Sequence, residues 1–374
     1  MKIALSAVTV ALALAFGASA ALASGESTVT QSGNDNTANV EQLNSSLGTN
    51  KASINQEGNN NEGAIVQDGN NHQATATITQ EGNTNEGNIS QQGNFSYATA
   101  TITEKSGADD NTSNISQVGN TSAMGRIQHW GDRNVSSIDQ SNVNGVTGTV
   151  HQNGSDNLGT IEQSNGSNQV ALINQGPNTA YGGRGTFNTA YIGQTGSNQT
   201  GRIEQNGSDN GIADIRQSGT DNNAFITDTG DTNQAYVTQV GTGAMNQATV
   251  TQGSSLNYAL VGQLGSALES TITQSGTENI AITAQAGDNL TSMIEQGGSN
   301  NFAVVGQLGS ALESSITQGG NGNSAIVGQD GSLLESSITQ TGHGNSALVG
   351  QYGSNYTSTI TQGGNGNSTV VAQY

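Results

Sequence analysis

The residues that most often carry out enzyme chemistry are few in this chain and are not grouped. Cysteine is absent, which excludes thiolate nucleophiles and thiolate metal sites. The four histidines, at positions 72, 129, 151 and 343, have no carboxylate or nucleophile at a repeated spacing, and we expect them in turns or facing solvent. Acidic turns such as GADDN at 107–111 lack the glycine–aspartate nonapeptide of calcium-binding β-rolls. The sequence therefore predicts no catalytic residue, no metal site and no cofactor.

Glutamine and asparagine, in contrast, recur at fixed spacing, and their chemistry is hydrogen bonding. Between Gln252 and Gln373 a glutamine stands at every eleventh position without interruption. Alternate intervals differ in kind: one reads N-x-A-x-V-x-Q, as in 323–329, and the next reads L-x-S-x-I-x-Q, as in 334–340. The full repeat therefore spans two such intervals, as from Gln329 to Gln351, and internal repetition is the strongest signal in the sequence.

The repeat is composed of strand-forming residues. An 11-residue period also fits a helical coil, but the chain has 53 glycines, each of which costs a helix about 1 kcal/mol relative to alanine. Val, Ile, Thr and Tyr alternate with other residues before each glutamine, so that Asn, Ala, Val or Ile, and Gln share one face and Ser, Gly and Thr the other. The predicted fold is all-β: an amyloid-like, cross-β parallel β-solenoid with two strands per 22-residue rung.

Stacked rungs would bring equivalent amides together. If rungs lie about 4.8 Å apart, residues 22 positions apart become neighbours, and each amide can donate to the next copy and accept from the previous one. Each such hydrogen bond stabilises the stack by about 0.5–1.5 kcal/mol. The predicted ladders consist of Asn257, Asn279, Asn301, Asn323, Asn345 and Asn367; of Gln263, Gln285, Gln307, Gln329, Gln351 and Gln373; and of Gln252, Gln274, Gln296, Gln318, Gln340 and Gln362.

The repeat resembles that of the curlin family, the subunits of bacterial curli fibres, which is similar to S-x5-Q-x-G-x-x-N-x-A-x3-Q. The second part of this pattern is matched by Gln318, Gly320, Asn323, Ala325 and Gln329. The serine that begins the pattern is not matched, because Leu312 stands at that position. The resemblance implies a functional amyloid: export as an unfolded chain through curli-type machinery, assembly outside the cell with the help of a nucleator subunit, and a role in biofilm matrix and adhesion.

The composition and the first residues of the chain predict where the protein is located. The chain is only 31% hydrophobic and 4% aromatic, too little for one thick core, and its net charge of −20 argues against nucleic acid as a partner. Lys2 and the apolar stretch 3–16 predict a signal peptide, residues 1–23, cleaved between Ala23 and Ser24. No other apolar run approaches the roughly 20 residues of a membrane span. We therefore expect a secreted, extracellular, pilus-like cell-surface fibre without a transmembrane segment in the mature chain.

The mature chain is predicted to be one solenoid with two kinds of repeat. Residues 24–251 are irregular curlin-like repeats and residues 252–374 are regular ones. The longest interval between the glutamines of the pattern runs from Gln175 to Gln194. It indicates a turn insertion at 176–187, because a strand pattern resumes in phase directly after it.

The predicted function is structural. Strand patterns without an evident cap at either end predict adhesive edges, and hence a head-to-tail polymer of the chain with itself. The alternative is a monomeric solenoid that binds a flat surface such as ice, for which the outward threonines at 75, 77, 79, 99, 101 and 103 are suited.

Overall fold

The computed structural model describes residues 24–43, 49–69, 73–93, 97–176, 185–241 and 245–374. The predicted signal peptide with Ala23, His72 and most of the insertion at 176–187 lie outside these residues. Two compact units are present. Unit 1 contains the described residues up to Asp156 together with Ile161–Gly166, and unit 2 contains Asn157–Thr160 together with the described residues from Ser167 to Tyr374.

Strands and turns make up both units, without a helix in the described ranges. Unit 1 contains β1 (Ser24–Ser32), β2 (Thr37–Leu43), β3 (Thr49–Glu57), β4 (Glu62–Asp68), β5 (Ala74–Glu81), β6 (Glu86–Gln92), β7 (Tyr97–Glu104), β8 (Thr112–Val118), β9 (Ser122–His129), β10 (Val135–Gln152) and β11 (Gly154–Ser155). Strand β12 (Leu158–Ser167) contributes residues to each unit.

Unit 2 contains the remaining strands. These are β13 (Val170–Gln175), β14 (Gly185–Thr186), β15 (Thr189–Ser197), β16 (Thr200–Gln205), β17 (Ile212–Thr220), β18 (Asn222–Asp228), β19 (Gln234–Gly241), β20 (Asn246–Gln252), β21 (Tyr258–Ser266), β22 (Glu269–Gln274), β23 (Ile280–Gln296), β24 (Phe302–Gln318), β25 (Ser324–Ser332), β26 (Glu335–Gln340), β27 (Ser346–Ser354), β28 (Thr357–Gln362) and β29 (Ser368–Gln373).

Strands pair in parallel with the next strand but one. In β25 and β27, for example, Ala325 lies opposite Ala347 and Gln329 opposite Gln351, so that each residue pairs with its equivalent in the next repeat. Each rung thus gives one strand segment to each of two parallel sheets, and the long strands β23 and β24 contribute a segment to both. The described residues of the two units make about 14 turns. This confirms the predicted all-β, parallel β-solenoid with two strands per rung.

The interior is thin and is filled by every second residue. In β26, Ser336, Ile338 and Gln340 are buried, whereas Ser337 and Thr339 between them are partly exposed. The isoleucine of each rung lies over that of the rung before, as Ile338 does over Ile316. Because each buried isoleucine contributes about 1.5–3 kcal/mol, these columns supply much of the apolar stabilisation of a chain that has no thick core.

The outward positions differ between the two sheets of unit 2. Sheet 1, which contains β20, β22, β26 and β28, carries the outward Ser and Thr that the sequence predicts, such as Thr271 and Thr339. Sheet 2, which contains β19, β21, β25, β27 and β29, instead presents apolar side chains such as Leu264 and Leu348. The prediction that Ser, Gly and Thr occupy the outward face is therefore wrong for sheet 2 at many positions.

Turns stack so closely that one position excludes a side chain. Gly309 has a φ of +133°, and a Cβ atom built there would lie 1.9 Å from the carbonyl oxygen of Gly331 in the next rung. Gly265, Gly287 and Gly331 repeat this contact at 1.8–1.9 Å. Each of these glycines stands two positions after an inward glutamine, as Gly309 does after Gln307. A residue without a side chain is required there for the close approach of successive rungs.

The strand register is the same on both sides of the predicted insertion at 176–187. Across the predicted insertion at 176–187, β13 pairs with β16, and Gln175 lies opposite Gln205, as one inward glutamine opposite another. The inward-facing set of residues is therefore the same in β13 and β16.

Candidate functional site: two buried amide ladders

The inward glutamines form two continuous ladders in unit 2. Ladder 1 lies in sheet 1 and ladder 2 in sheet 2. In both, Nε2 of one glutamine donates to Oε1 of the equivalent glutamine in the next repeat, at 2.7–3.0 Å. Ladder 1 contains Gln252, Gln274, Gln296, Gln318, Gln340 and Gln362, and ladder 2 contains Gln263, Gln285, Gln307, Gln329, Gln351 and Gln373. All donors point the same way along the chain.

Each ladder glutamine also bonds the opposite sheet. The second hydrogen of Gln307 Nε2 is donated to the carbonyl oxygen of Thr291 at 3.0 Å, and Gln318 bonds the carbonyl oxygen of Phe302 at 3.1 Å. From Gln263 onwards this partner lies 16 residues earlier in the chain, in the facing sheet. The glutamines therefore hydrogen-bond each rung to the next and each sheet to the other. The spacing in the sequence predicted only the contact between rungs.

The asparagine column stacks as well, but with other hydrogen-bond partners than the sequence suggests. Asn301 Oδ1 accepts from the backbone N–H of Asn323 at 2.9 Å, and Asn301 Nδ2 donates to the carbonyl oxygen of Gly320 at 2.8 Å. Asn257, Asn279 and Asn345 accept from the next asparagine in the same way. Amide-to-amide bonding occurs in this column at Asn367, which donates to Asn345 Oδ1 at 2.9 Å. The asparagines thus hold the backbone of the next turn.

At the other edge of the interior, a leucine column takes the place of the asparagines. Leu268, Leu290, Leu312 and Leu334 are buried and stack on one another, with Tyr356 packed against them. Leu312, which departs from the serine of the curlin pattern, is thus a member of an apolar column.

A family model independently matches these repeats. The model of the curlin-associated repeat matches residues 50–82, 207–241, 243–276, 287–320, 312–342 and 336–364. The chain is a curlin-repeat protein. A search of curated proteins gave no significant match.

The curlin-repeat ladders extend into the irregular repeats. In unit 1, ladder 2 is formed by glutamines alone, at 2.7–2.8 Å: Gln42, Gln67, Gln91, Gln117, Gln140 and Gln163. Ladder 1 of unit 1 begins with Gln31, Gln56 and Gln80. The amide ladder is therefore a property of both units of the curlin-repeat protein.

Ladder 1 of unit 1 is interrupted by two titratable residues. Glu104 lies opposite Gln80, and His129 lies opposite Glu104; both are fully buried. The expectation that the histidines lie in turns or face solvent is wrong for His129, because its strand, β9, places it in the glutamine column. Ser113 and Ser136, in the facing sheet, supply hydroxyl groups beside these two side chains.

Hydrogen bonds fix the tautomer of His129. Ser136 Oγ donates to Gln152 Oε1 at 2.7 Å, so His129 Nε2, 2.7 Å from the same hydroxyl, must be the donor to it. Nδ1 is then an acceptor, 3.4 Å from Ser113 Oγ and 3.9 Å from Glu104 Oε1. A neutral imidazole and a neutral carboxyl group each have one donor and one acceptor, as a glutamine has along its ladder. The Glu104–His129 pair thus offers the donors and acceptors of two amides only when both are uncharged, but the two side chains lie 3.9 Å apart and Glu104 Oε2 is buried without a hydrogen bond.

Burial keeps both groups uncharged at neutral pH. It raises the pKa of Glu104 to about 8, against the opposite effect of the Ser113 hydroxyl, and lowers the pKa of His129 to about 3. Because Glu104, His129, Ser113 and Ser136 are all fully buried, no substrate reaches this serine–histidine–glutamate group. Its role is structural.

We predict that this pair lowers stability above about pH 6.5, through Glu104, and below about pH 4.5, through His129, because their opposite slopes cancel between these values. Glu104 binds a proton in the folded but not the unfolded chain between pH 4.5 and about 8, so stability falls as pH rises through that window. His129 stays neutral in the folded chain between pH 6.5 and about 3, so stability falls as pH drops through that range. The double variant Glu104→Gln, His129→Gln should lose both slopes, each at most about 1.4 kcal/mol per pH unit. Guanidinium unfolding midpoints from pH 4 to pH 9 measure this, with exposed Glu57→Gln as the control; unchanged slopes in the double variant would contradict it.

A third titratable residue, Asp228, interrupts ladder 1 in unit 2 between Gln205 and Gln252. Its Oδ1 accepts from Asn233 Nδ2 at 2.7 Å and from Gly230 N at 3.1 Å. In the part of the chain that the structure describes, Asp228 Oδ2, Gln205 Nε2 and Gln252 Oε1 are buried without a hydrogen bond. The shorter side chain therefore leaves a gap in the ladder, and burial raises its pKa to about 6.

Replacing Asp228 by glutamine is expected to stabilise the protein. The new amide can accept from Gln205 and donate to Gln252, which adds two ladder bonds and about 1–3 kcal/mol to the free energy of unfolding. The gain should grow between pH 4 and pH 6, because the raised pKa makes the wild type lose stability as pH rises through that range. Guanidinium unfolding at pH 4 and pH 7 tests this. The control variant Asp330→Asn, at an outward position, should change the free energy of unfolding little. A loss of stability in Asp228→Gln would show that Asp228 does not leave a gap in ladder 1.

Other charged groups lie outside the interior. Glu313 stacks on Glu335 as an exposed pair of like charges, an arrangement that is destabilising in a sheet. No cluster of three His, Asp or Glu residues that could hold a metal occurs in the described ranges. Nor is there, within the same residues, a helix that could cross a membrane.

Proposed function

We propose that this curlin-repeat protein is a secreted structural subunit that polymerises head to tail into amyloid-like extracellular fibres, which serve as biofilm matrix and in adhesion. The observation that carries the proposal is the polarity of the ladders. Wherever one ladder glutamine bonds the next, the donor lies on the amino-terminal side and the acceptor on the carboxyl-terminal side. One end rung therefore offers amide donors and the other offers acceptors.

The rungs at the two described ends are edges. Within the described residues, β1 pairs only with β3, and β29 pairs only with β27. In β29 the inward Val371 is partly exposed, whereas Val349, one rung earlier, is fully buried. Val29, on the inward face of β1, is 42% exposed. Exposed strand edges with apolar inner residues are templates for pairing with another chain.

The two end rungs match each other in sequence. If β28 and β29 of one copy receive β1 and β2 of the next, Gln362 can donate to Gln31, and Gln373 to Gln42. In the same register Ile360 covers Val29 and Val371 covers Val40. Two unlike ends that fit give a heterologous contact that does not close, and its product is a filament.

The remaining parts of the proposal concern partners and location. A nucleator subunit with the same repeat would present a ready edge, which removes the cost of ordering the first rung, about 1–2 kcal/mol for each residue. The curlin repeats support export by curli-type machinery, and the signal peptide predicted at residues 1–23 supports secretion. The product would be an extracellular, cell-surface fibre, and the protein would not be an enzyme.

Ice binding is supported less well by the geometry. The outward threonines of β5 and β7 do form a regular array, with Thr77 opposite Thr101. The array is only two strands wide. In the column of Thr75 and Thr99, Lys51 precedes the threonines and Met124 follows them. Recognition of a flat crystal surface would need more rungs of the same pattern.

The proposal predicts that an inward charge at the end rung blocks growth. In Val29→Lys the ammonium group is solvated in the single chain but must be buried when another copy is added, at a cost of several kcal/mol. Elongation from seeds, followed by thioflavin fluorescence and negative-stain microscopy of the purified mature chain, should slow at least tenfold. The control Thr30→Lys places the same charge outward on the same strand and should elongate normally. Equal elongation of both variants, or monodisperse wild-type particles after prolonged incubation, would contradict the proposal.

A further inference from the structure

The outer face of sheet 2 in unit 2 contains a long groove of about 820 Å³. Its floor is a column of small outward residues, one from each rung: Gly262, Ala284, Gly306, Gly328 and Gly350. We call this the glycine groove. No bulky side chain stands on the floor, so the groove runs without a break along the direction in which the rungs stack.

Apolar ridges flank the glycine groove on both sides. On one side, Leu264, Leu308 and Tyr352 are 55–62% exposed, and Ala286 and Asp330 stand between them in the same column. On the other side, Ile326, Leu348 and Val370 are 37–67% exposed. Single exposed apolar residues are ordinary, but a contiguous array of this kind marks an interaction surface.

Charge separates this face from the opposite one. Among the outward strand residues from β21 to β29, all of which are described, sheet 2 carries two charged residues, Asp288 and Asp330. The outward face of sheet 1 carries Glu269, Glu295, Glu313 and Glu335. Copies of a chain with a net charge of −20 repel each other. Self-association is therefore least opposed through sheet 2.

We propose that the glycine groove pairs with the same face of a second copy, each copy placing a ridge in the groove of the other. Both faces have the same repeat of about 4.8 Å, so that a contact made at one rung is made at every rung. Six strands with four outward residues each cover about 570 Å², or about 1,100 Å² for the two copies, which reaches the size of a specific interface. The contact is isologous and lateral. It rests on the proposed fibre function, because the paired copies belong to neighbouring filaments.

The test compares three lysines in the ridge with three lysines on the opposite face of the same rungs. The ridge variant is Leu264→Lys, Leu308→Lys, Tyr352→Lys, and the control is Thr273→Lys, Thr317→Lys, Thr361→Lys. Both change the charge equally. Seeded elongation should stay within about twofold of wild type in both, whereas negative-stain images should show paired filaments for wild type and control and single filaments for the ridge variant.

The outcomes separate this inference from the proposed function. Paired filaments in the ridge variant, loss of pairing in the control, or single filaments of the wild type would overturn the inference while fibre formation stands. If the wild type forms no fibres, the proposed function fails, and pairing is then read on soluble copies by sedimentation. In that experiment, dimers of the wild type and the control together with monomers of the ridge variant would support pairing through the glycine groove. Monomers of all three proteins would overturn it.

Discussion

Replacing Gly309 by alanine is expected to destabilise the protein by more than about 3 kcal/mol. The φ of +133° is accessible in practice to glycine alone, and the added Cβ atom would lie 1.9 Å from the carbonyl oxygen of Gly331. Backbone strain of this kind costs about 1–3 kcal/mol, and the overlap must in addition push two rungs apart. That displacement breaks strand and ladder hydrogen bonds together.

The matched control is Gly319→Ala. A Cβ atom there would meet nothing within 4 Å, and Gly319 lacks a left-handed φ. Guanidinium unfolding of the folded chain and seeded elongation should both show a large loss for Gly309→Ala and little change for Gly319→Ala. Similar stability of the two variants would mean that the rungs are not stacked at the described distance.

Gln307→Glu is expected to cost about 3–5 kcal/mol at pH 7.5. The substitution keeps the shape of the side chain but removes the two donated hydrogen bonds, to Gln329 Oε1 at 2.9 Å and to the carbonyl oxygen of Thr291 at 3.0 Å. It also places a carboxylate in a position that is 3% exposed. An unpaired buried charge carries a penalty of this size.

Acid should partly rescue the variant, because a protonated carboxyl group regains one donor. The difference in unfolding midpoint between Gln307→Glu and wild type should therefore shrink between pH 7.5 and pH 4. Thr339→Glu adds the same charge at an outward position, between Thr317 and Thr361, and should be nearly neutral at both pH values. If the difference in unfolding midpoint between Gln307→Glu and wild type were the same at pH 7.5 and pH 4, the buried amide ladder would be contradicted.

The regular repeats could be interpreted from the sequence because their period is fixed. A strict 11-residue spacing of glutamines identifies the inward face, and the structure places those residues in two columns. The hydrogen-bond partners of the asparagines could not be predicted, because Asn323 N–H and the Gly320 carbonyl group are within reach of Asn301 as readily as the next amide. Spacing alone does not choose among them.

The interruptions in ladder 1 were missed because the irregular repeats have no fixed period. A signal was present nonetheless: ATATITQ at 74–80 aligns with ATATITE at 98–104, which places Glu104 at the position of Gln80. Continuing the same column leads to His129 and Gln152. The difference between the two outward faces was likewise hidden, since apolar residues alternate on both sides of β21 and β24.

The mass per length of the assembled fibre tests the central claim most directly. A solenoid filament contains one 22-residue rung per strand spacing, which corresponds to about 0.5 kDa per Å, or about twice that for a lateral pair. A stack of flat, in-register chains would instead contain one whole chain of 37.8 kDa per spacing, or about 8 kDa per Å. Scanning transmission microscopy of unstained fibres should give a small multiple of the solenoid value. A mass per length near that of the flat stack would show that the chain assembles without folding into stacked rungs.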